Sequence, residues 1–341
     1  MKKILLFILS VVVGAALFIG VIYHIGYDEI KNAFASFSWP VIFIIVGLSL
    51  FQMIVIIYRW QLVLRAQGDD IKFRKLLAPK FVGYAVSFLT PGLYVGGEPV
   101  RAYLLKKQAG VRLSHGMASI IVDKILDFTY PIPFLIAAMV YAVLKYEIPW
   151  EAVGVLAAVL LGLITALVLF FVQTYRGKGF FSALLHIFHL DRVGKIKPWL
   201  ERFIYFESLI ITFFNRRYKL FIKGLLLSFL GGLIIVAQFY IILNALDIPA
   251  GLWQMLVMMV FMILSFLLPI PGSLGSFETS QALVFNALKY PASVGVAFTL
   301  VFRVAEFVKV GIGLVFLSNV GLKFLREIPK NNNHEPSGPA S

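Results

Sequence analysis

The 341-residue chain has no cysteine, which excludes disulfides, thiolate metal sites and cysteine nucleophiles. Charge is also scarce. Asp, Glu, Lys and Arg make up 14% of the residues, against about 25% in an ordinary soluble domain. The five histidines (His24, His115, His186, His189 and His334) form no pair at metal-ligand spacing inside an apolar run. No metal and no cofactor is expected. Apolar side chains are abundant instead, at 60% of the chain with a mean hydropathy of +0.90. Several apolar runs exceed the ~18 residues that cross a bilayer. The expected fold class is all-α, a polytopic helical membrane protein.

The net charge of +14 invites a nucleic-acid reading, which its distribution excludes. The basic residues gather in short segments between apolar runs, the pattern of cytoplasmic loops, where they would meet anionic headgroups. Met1-Lys2-Lys3 opens a span over about 4–23, read as retained rather than as a signal peptide because no small-residue cleavage site follows. A second span covers about 40–58. Arg59, Arg65, Lys72, Arg74, Lys75 and Lys80 after it read as a cytoplasmic segment. Further spans are expected at about 116–144, 152–173, 220–244 and 294–322, with a basic cytoplasmic stretch over 174–219. Trp39, Trp60, Trp150 and Trp253 fall near expected span ends, as interfacial anchors do. The chain is expected in the cell membrane, multi-pass, with both termini cytoplasmic. Residues 1–326 form one transmembrane domain, and 327–341 read as a disordered tail.

Two apolar stretches are interrupted. Phe81–Leu89 runs into Pro91 and Gly92 and then Gly97, and Leu252–Leu268 runs into Pro269, Pro271, Gly272 and Gly275. Proline removes a backbone donor and glycine loosens a helix. Charge bias on either side returns the chain to the face it entered, so each stretch is expected to be a re-entrant hairpin. Such backbone must be buried in protein or line a wet cavity. The halves, about 1–146 and 152–326, match weakly at an offset near 180. Ser87-Phe88-Leu89 corresponds to Ser265-Phe266-Leu267, and Glu98 to Glu278. One hairpin enters from inside and the other from outside, so the repeats are read as inverted. Broken segments at matching positions point to a transport site between repeats.

Charges persist inside the spans. Asp123, Lys124 and Asp127 lie in one, and Arg303, Glu306 and Lys309 in another. An ionisable residue near the bilayer centre costs roughly 2.5–3.5 kcal/mol or more. Asp123 and Asp127 share a helix face, with Asp127 roughly 15 Å from the inner end. Repeat symmetry sets Asp123 opposite Arg303, where the two are expected to pair. Glu98 and Arg101 stand one turn apart after the first break. Two readings stay open: static ion pairs that hold the bundle, or a polar groove for a headgroup or a proton.

The series Gly83-Tyr84, Thr90-Pro91-Gly92, Gly97-Glu98-Pro99-Val100-Arg101 and Asp123-Lys124-Ile125-Leu126-Asp127, with Pro269-Ile270-Pro271-Gly272-Ser273-Leu274-Gly275-Ser276-Phe277-Glu278 downstream, resembles the flippase-like proteins. These share the transmembrane domain of lysylphosphatidylglycerol synthases, and the resemblance covers about 4–326. It implies a lipid-translocating domain of inverted repeats. In the synthase relatives that domain moves aminoacylated phosphatidylglycerol, and other relatives are associated with polyprenyl-phosphate-linked sugars. By position, Glu98, Arg101, Asp123, Asp127 and Glu278 carry the family's motif charges. Only a short tail follows Arg326, so synthase activity is not expected here.

The leading expectation is a lipid flippase or transporter, not an enzyme. Arg101 and Arg303 would meet phosphate, and Asp123, Asp127 and Glu306 would hold an amine or exchange protons. Membrane lipids are the expected partners, nucleic acid is not, and a homo-oligomer is allowed. The rivals are a membrane-embedded enzyme acting on a lipid-linked substrate and an ion or amino-acid transporter.

Overall fold

The computed structural model describes residues 23–35, 37–90, 96–145, 150–177, 218–249 and 251–327, with a few isolated positions besides. All regular structure among them is helical. A short helix, α1 (Tyr27–Ala35), precedes α2 (Trp39–Ala66), α3 (Arg74–Leu89), α4 (Glu98–Ala109), α5 (Leu113–Thr129), α6 (Ile132–Lys145) and α7 (Trp150–Tyr175). Then come α8 (Tyr218–Ala245), α9 (Leu252–Leu267), a 3-10 turn (Pro271–Ser273), α10 (Ser276–Ala287) and α11 (Ala292–Glu327). Three described helical stretches are long and apolar enough to cross a membrane: Trp39–Ala66, Leu113–Lys145 and Lys219–Ala245. Most of the first expected span and of the basic stretch 174–219 lies outside the described residues, as do Pro91 and Gly92.

Two expected boundaries change. The second span was expected to stop at 58, but α2 continues to Ala66. It carries Arg59 inside the helix because Trp60, Leu62, Val63 and Leu64 beyond it are apolar and buried. Lys80 likewise lies within α3, not in a loop. The span expected over 116–144 divides at Tyr130 and Pro131 into α5 and α6. Pro131 has no N–H to donate to the Asp127 carbonyl, so the ladder breaks beside that residue.

The interrupted segments form helical hairpins. In the first, α3 and α4 run antiparallel, and the Gly97 N–H donates to Ser87 Oγ at 2.9 Å. A Cβ on Gly97 would lie 1.9 Å from the Gly83 carbonyl oxygen. Glycine is therefore what allows the two backbones to touch. In the second, Gln281 on α10 donates to the Met258 carbonyl at 3.0 Å, and Ser276 Oγ donates to the Ser265 carbonyl at 3.3 Å. Gly275, at φ +78°, makes the turn into α10. At ~1.5 Å per residue, α3 and α9 are about 24 Å long and α4 and α10 about 18 Å, all short of a hydrocarbon core of about 30 Å.

Element lengths recur along the chain. α2 and α8 each have 28 residues, α3 and α9 each 16, and α4 and α10 each 12. The packing partners recur too: α3 lies against α11 where α9 lies against α6, and α4 against α5 where α10 lies against α11. α2 and α8 pack antiparallel. Gln238 donates to the Ile45 carbonyl, Gln52 to the Gly231 carbonyl, and Arg59 to Ser228 Oγ. The largest apolar core joins α8, α9, α10 and α11, where Phe239, Phe277, Phe285, Phe298 and Phe302 meet at centroid distances of 4.9–5.8 Å, mostly edge to face. Large apolar side chains such as Trp39, Phe43 and Leu226 point outward, as a surface bathed in lipid requires.

Candidate functional site

Four helices converge on one carboxylate. Asp123, on α5, is completely buried. Its Oδ1 accepts from Arg59 Nε at 2.8 Å and Nη2 at 2.5 Å. Its Oδ2 accepts from Lys80 Nζ at 2.8 Å and Arg101 Nη2 at 2.7 Å. Arg59 comes from α2, Lys80 from α3 and Arg101 from α4. Arg59 also reaches Asp127 Oδ1 at 2.7 Å and, on α8, Ser228 Oγ at 2.7 Å. The Arg101 guanidinium lies 3.6 Å over the ring of Trp60, whose indole N–H donates to Ser119 Oγ at 3.0 Å. Trp60 is thus a fully buried platform, which corrects its reading as an interfacial anchor. Three buried cations on one carboxylate are tolerable only because each makes charge-assisted hydrogen bonds.

Beside this cluster lies a cavity of about 180 Å³. Lys80, Arg101, Lys124 and Lys309 bring positive charge to its wall, and Glu98 and Asp127 negative charge. Gln52, near the middle of the 28-residue α2, and Tyr84 and Ser87 of α3 also line it. Lys124 Nζ lies 2.9 Å from Glu98 Oε1. Lys309 donates to Glu306 at 2.6 Å and sits 4.9 Å over the Tyr84 ring. The Arg101 Nε–H has no hydrogen-bond partner, although the residue is only 2% exposed.

The second hairpin holds a separate ionic group. Arg303 pairs with Glu278 through both carboxylate oxygens. Nη1 and Nη2 also donate to the carbonyls of Gly272 and Ser273, at 2.8 Å each. Glu278 also accepts the Gly275 N–H at 2.8 Å. This guanidinium fills the broken turn, with four of its five N–H donors engaged there. Pro269 and Pro271 deny that turn their N–H groups, and Gly272, at φ +56°, packs its backbone on the Phe88 ring of the first hairpin.

The residues singled out by sequence therefore fall into two groups. Glu98, Arg101, Asp123 and Asp127 meet at the cavity, and Glu306 joins them through Lys309. Glu278 and Arg303 stand apart from it. The expected pair of Asp123 with Arg303 does not form. Asp123 faces α2, α3 and α4, whereas Arg303 faces α10 and the 3-10 turn. Arg59 and Lys80 were missed as site residues because charges near span ends read as topology signals. The apolar residues flanking each of them were the available clue.

These features define a class: a multi-pass helical membrane protein with an ionic cavity buried beside a broken-helix hairpin. Residues 7–313 match the family described as the lysylphosphatidylglycerol synthase TM region, and the chain belongs to that family. It is similar to a UPF0104 membrane protein of Methanothermobacter thermautotrophicus, 25% identical over 309 residues, covering 87% of this chain and 90% of the relative. It is also similar to a UPF0104 membrane protein of Pyrococcus horikoshii, 26% identical over 322 residues, covering 90% and 93% of the two chains. A third relative, from Methanocaldococcus jannaschii, is 22% identical over 293 residues, covering 84% of this chain and 86% of the relative.

Proposed function

We propose that this protein is a lipid transporter of flippase type. It moves the headgroup of a phospholipid or a polyprenyl-phosphate-linked lipid between leaflets while the tails stay in the bilayer. The observation that carries this reading is the cavity of about 180 Å³ with four cations and two carboxylates on its wall. Charges at such depth are costly in hydrocarbon, and a wet passage for a polar group offsets that cost. Matched element lengths, matched packing partners and the antiparallel α2–α8 contact support two inverted repeats. The short paired helices support re-entrant hairpins whose irregular backbone is buried in protein. Basic segments between apolar runs support cytoplasmic termini.

The test is reconstitution into vesicles containing a fluorescent phospholipid, followed by chemical quenching of the outer leaflet. With the protein present, the quenchable fraction rises beyond the outer-leaflet share. The same protein with Lys80→Met and Arg101→Met gives a slower rise. Identical quenching in vesicles with and without protein, across phospholipid and polyprenyl-phosphate probes, rejects the proposal.

A further inference from the structure

The two ionic groups share one plan. In each, a glutamate in the first turn of a hairpin's second helix binds a cation on the helix that follows, Glu98 to Lys124 and Glu278 to Arg303. Lys124 and Arg303 each occupy the twelfth position of their helix. The pairs differ in closure. The side chains of Arg303 and Glu278 are 4% and 0% exposed, and two backbone carbonyls also hold the guanidinium. The side chains of Lys124 and Glu98 are 24% and 10% exposed, and both line the cavity.

We propose that Glu98 and Lys124 form a releasable latch on the first hairpin, opened when Lys124 exchanges Glu98 for the singly charged phosphodiester of the transported group. This rests on the transport reading above and assigns its ligand-contacting cation. Among the cavity cations, Lys80 and Arg101 are held by the completely buried Asp123, and Lys309 by Glu306. Glu98, which lines the cavity, takes Lys124 Nζ at 2.9 Å and lies 3.9 Å from Arg101 Nη1, so among the cavity cations Lys124 is the one it holds closely. The group's size follows from charge. Arg59, Lys80, Arg101, Lys124 and Lys309 stand against Glu98, Asp123, Asp127 and Glu306, leaving one positive charge. A phosphodiester carries one negative charge and balances the cluster. A phosphomonoester, at about −1.5 to −2, overshoots.

The test is calorimetric titration of the purified full-length protein with dihexanoylphosphatidylglycerol. Glu98→Gln removes the competitor for Lys124 and tightens binding about tenfold, and Lys124→Met weakens it about tenfold. Dihexanoylphosphatidic acid, the monoester, binds more weakly than the diester. Glycerophosphoglycerol, the headgroup without chains, binds more weakly still if lipid is the source, and equal affinity assigns the site to a soluble phosphodiester instead. Unchanged or weaker binding by Glu98→Gln overturns the latch, as does tighter binding of the monoester. Should Lys124→Met not fold, as judged by size exclusion, Glu98→Gln alone decides. Titration reads binding and not movement. Failure here with intact lipid movement in vesicles sinks the latch alone, while the reverse sinks the transport reading.

Discussion

Replacing Asp123 by asparagine is the sharpest perturbation of the ionic cluster. The carboxylate accepts from Arg59, Lys80 and Arg101 at 2.5–2.8 Å and is completely buried. Asparagine keeps the shape but loses the charge, and it turns an N–H2 group towards donors. Arg59 then keeps Asp127 at 2.7 Å and Arg101 keeps only Glu98 at 3.9 Å, while Lys80 loses its ion pair. Removing one partner of a buried ion pair costs about 3–5 kcal/mol. Water in the adjoining cavity screens Lys80 and Arg101, which favours the lower end of that range. On the scale of a soluble domain of similar size, the thermal midpoint falls by about 4–7 °C. The assay is thermal unfolding of the purified protein in one detergent, followed by tryptophan fluorescence. Lys80→Met removes one surplus cation, so the double variant Asp123→Asn with Lys80→Met recovers part of the loss. The expected coupling is about 0.5–3 kcal/mol. A single variant that melts within about 2 °C of the parent, or a double variant that is merely additive, refutes the account of Asp123 as the anchor of four helices.

Gly97→Ala drives a methyl group to 1.9 Å from the Gly83 carbonyl. It should abolish folded yield on size exclusion, whereas Gly47→Ala, which meets nothing within 4 Å, should not lower it. Arg303→Lys keeps the charge but loses the fork that reaches Gly272 and Ser273. It should destabilise by about 2–4 kcal/mol, read as a lower unfolding midpoint, and leave dihexanoylphosphatidylglycerol affinity within about twofold because the residue lies off the cavity. His115→Ala breaks a partly exposed contact with Asp69 at 2.9 Å. Its midpoint should shift by no more than the equivalent of about 1 kcal/mol.

Much of the architecture is written locally. Hydrophobic run length sets the long helices, and the expected stretches near 152–173 and 220–244 correspond to α7 and α8 within a few residues. The break at Pro269, Pro271, Gly272 and Gly275 follows from missing donors and from glycine's freedom at positive φ, and that at Gly97 from the close approach of the Gly83 backbone. Glu98, Arg101, Asp123 and Asp127 stand out in sequence because charge is rare in apolar surroundings. Their partners are not legible in the same way. Arg59 and Lys80 sit beside basic clusters that a membrane topology explains fully, and only the packing of α2, α3 and α5 turns them inward onto Asp123. A symmetry argument along the chain set Asp123 opposite Arg303, yet each charge binds within its own half. Salt-bridge partners are chosen by which helix faces meet, and sequence spacing fixes only the face within one helix. The open Glu98–Lys124 pair and the closed Glu278–Arg303 pair look alike as residues. Burial separates them: Glu278 and Arg303 are closed off at the broken turn while Glu98 and Lys124 open on the cavity, and that difference arises only when the hairpins fold.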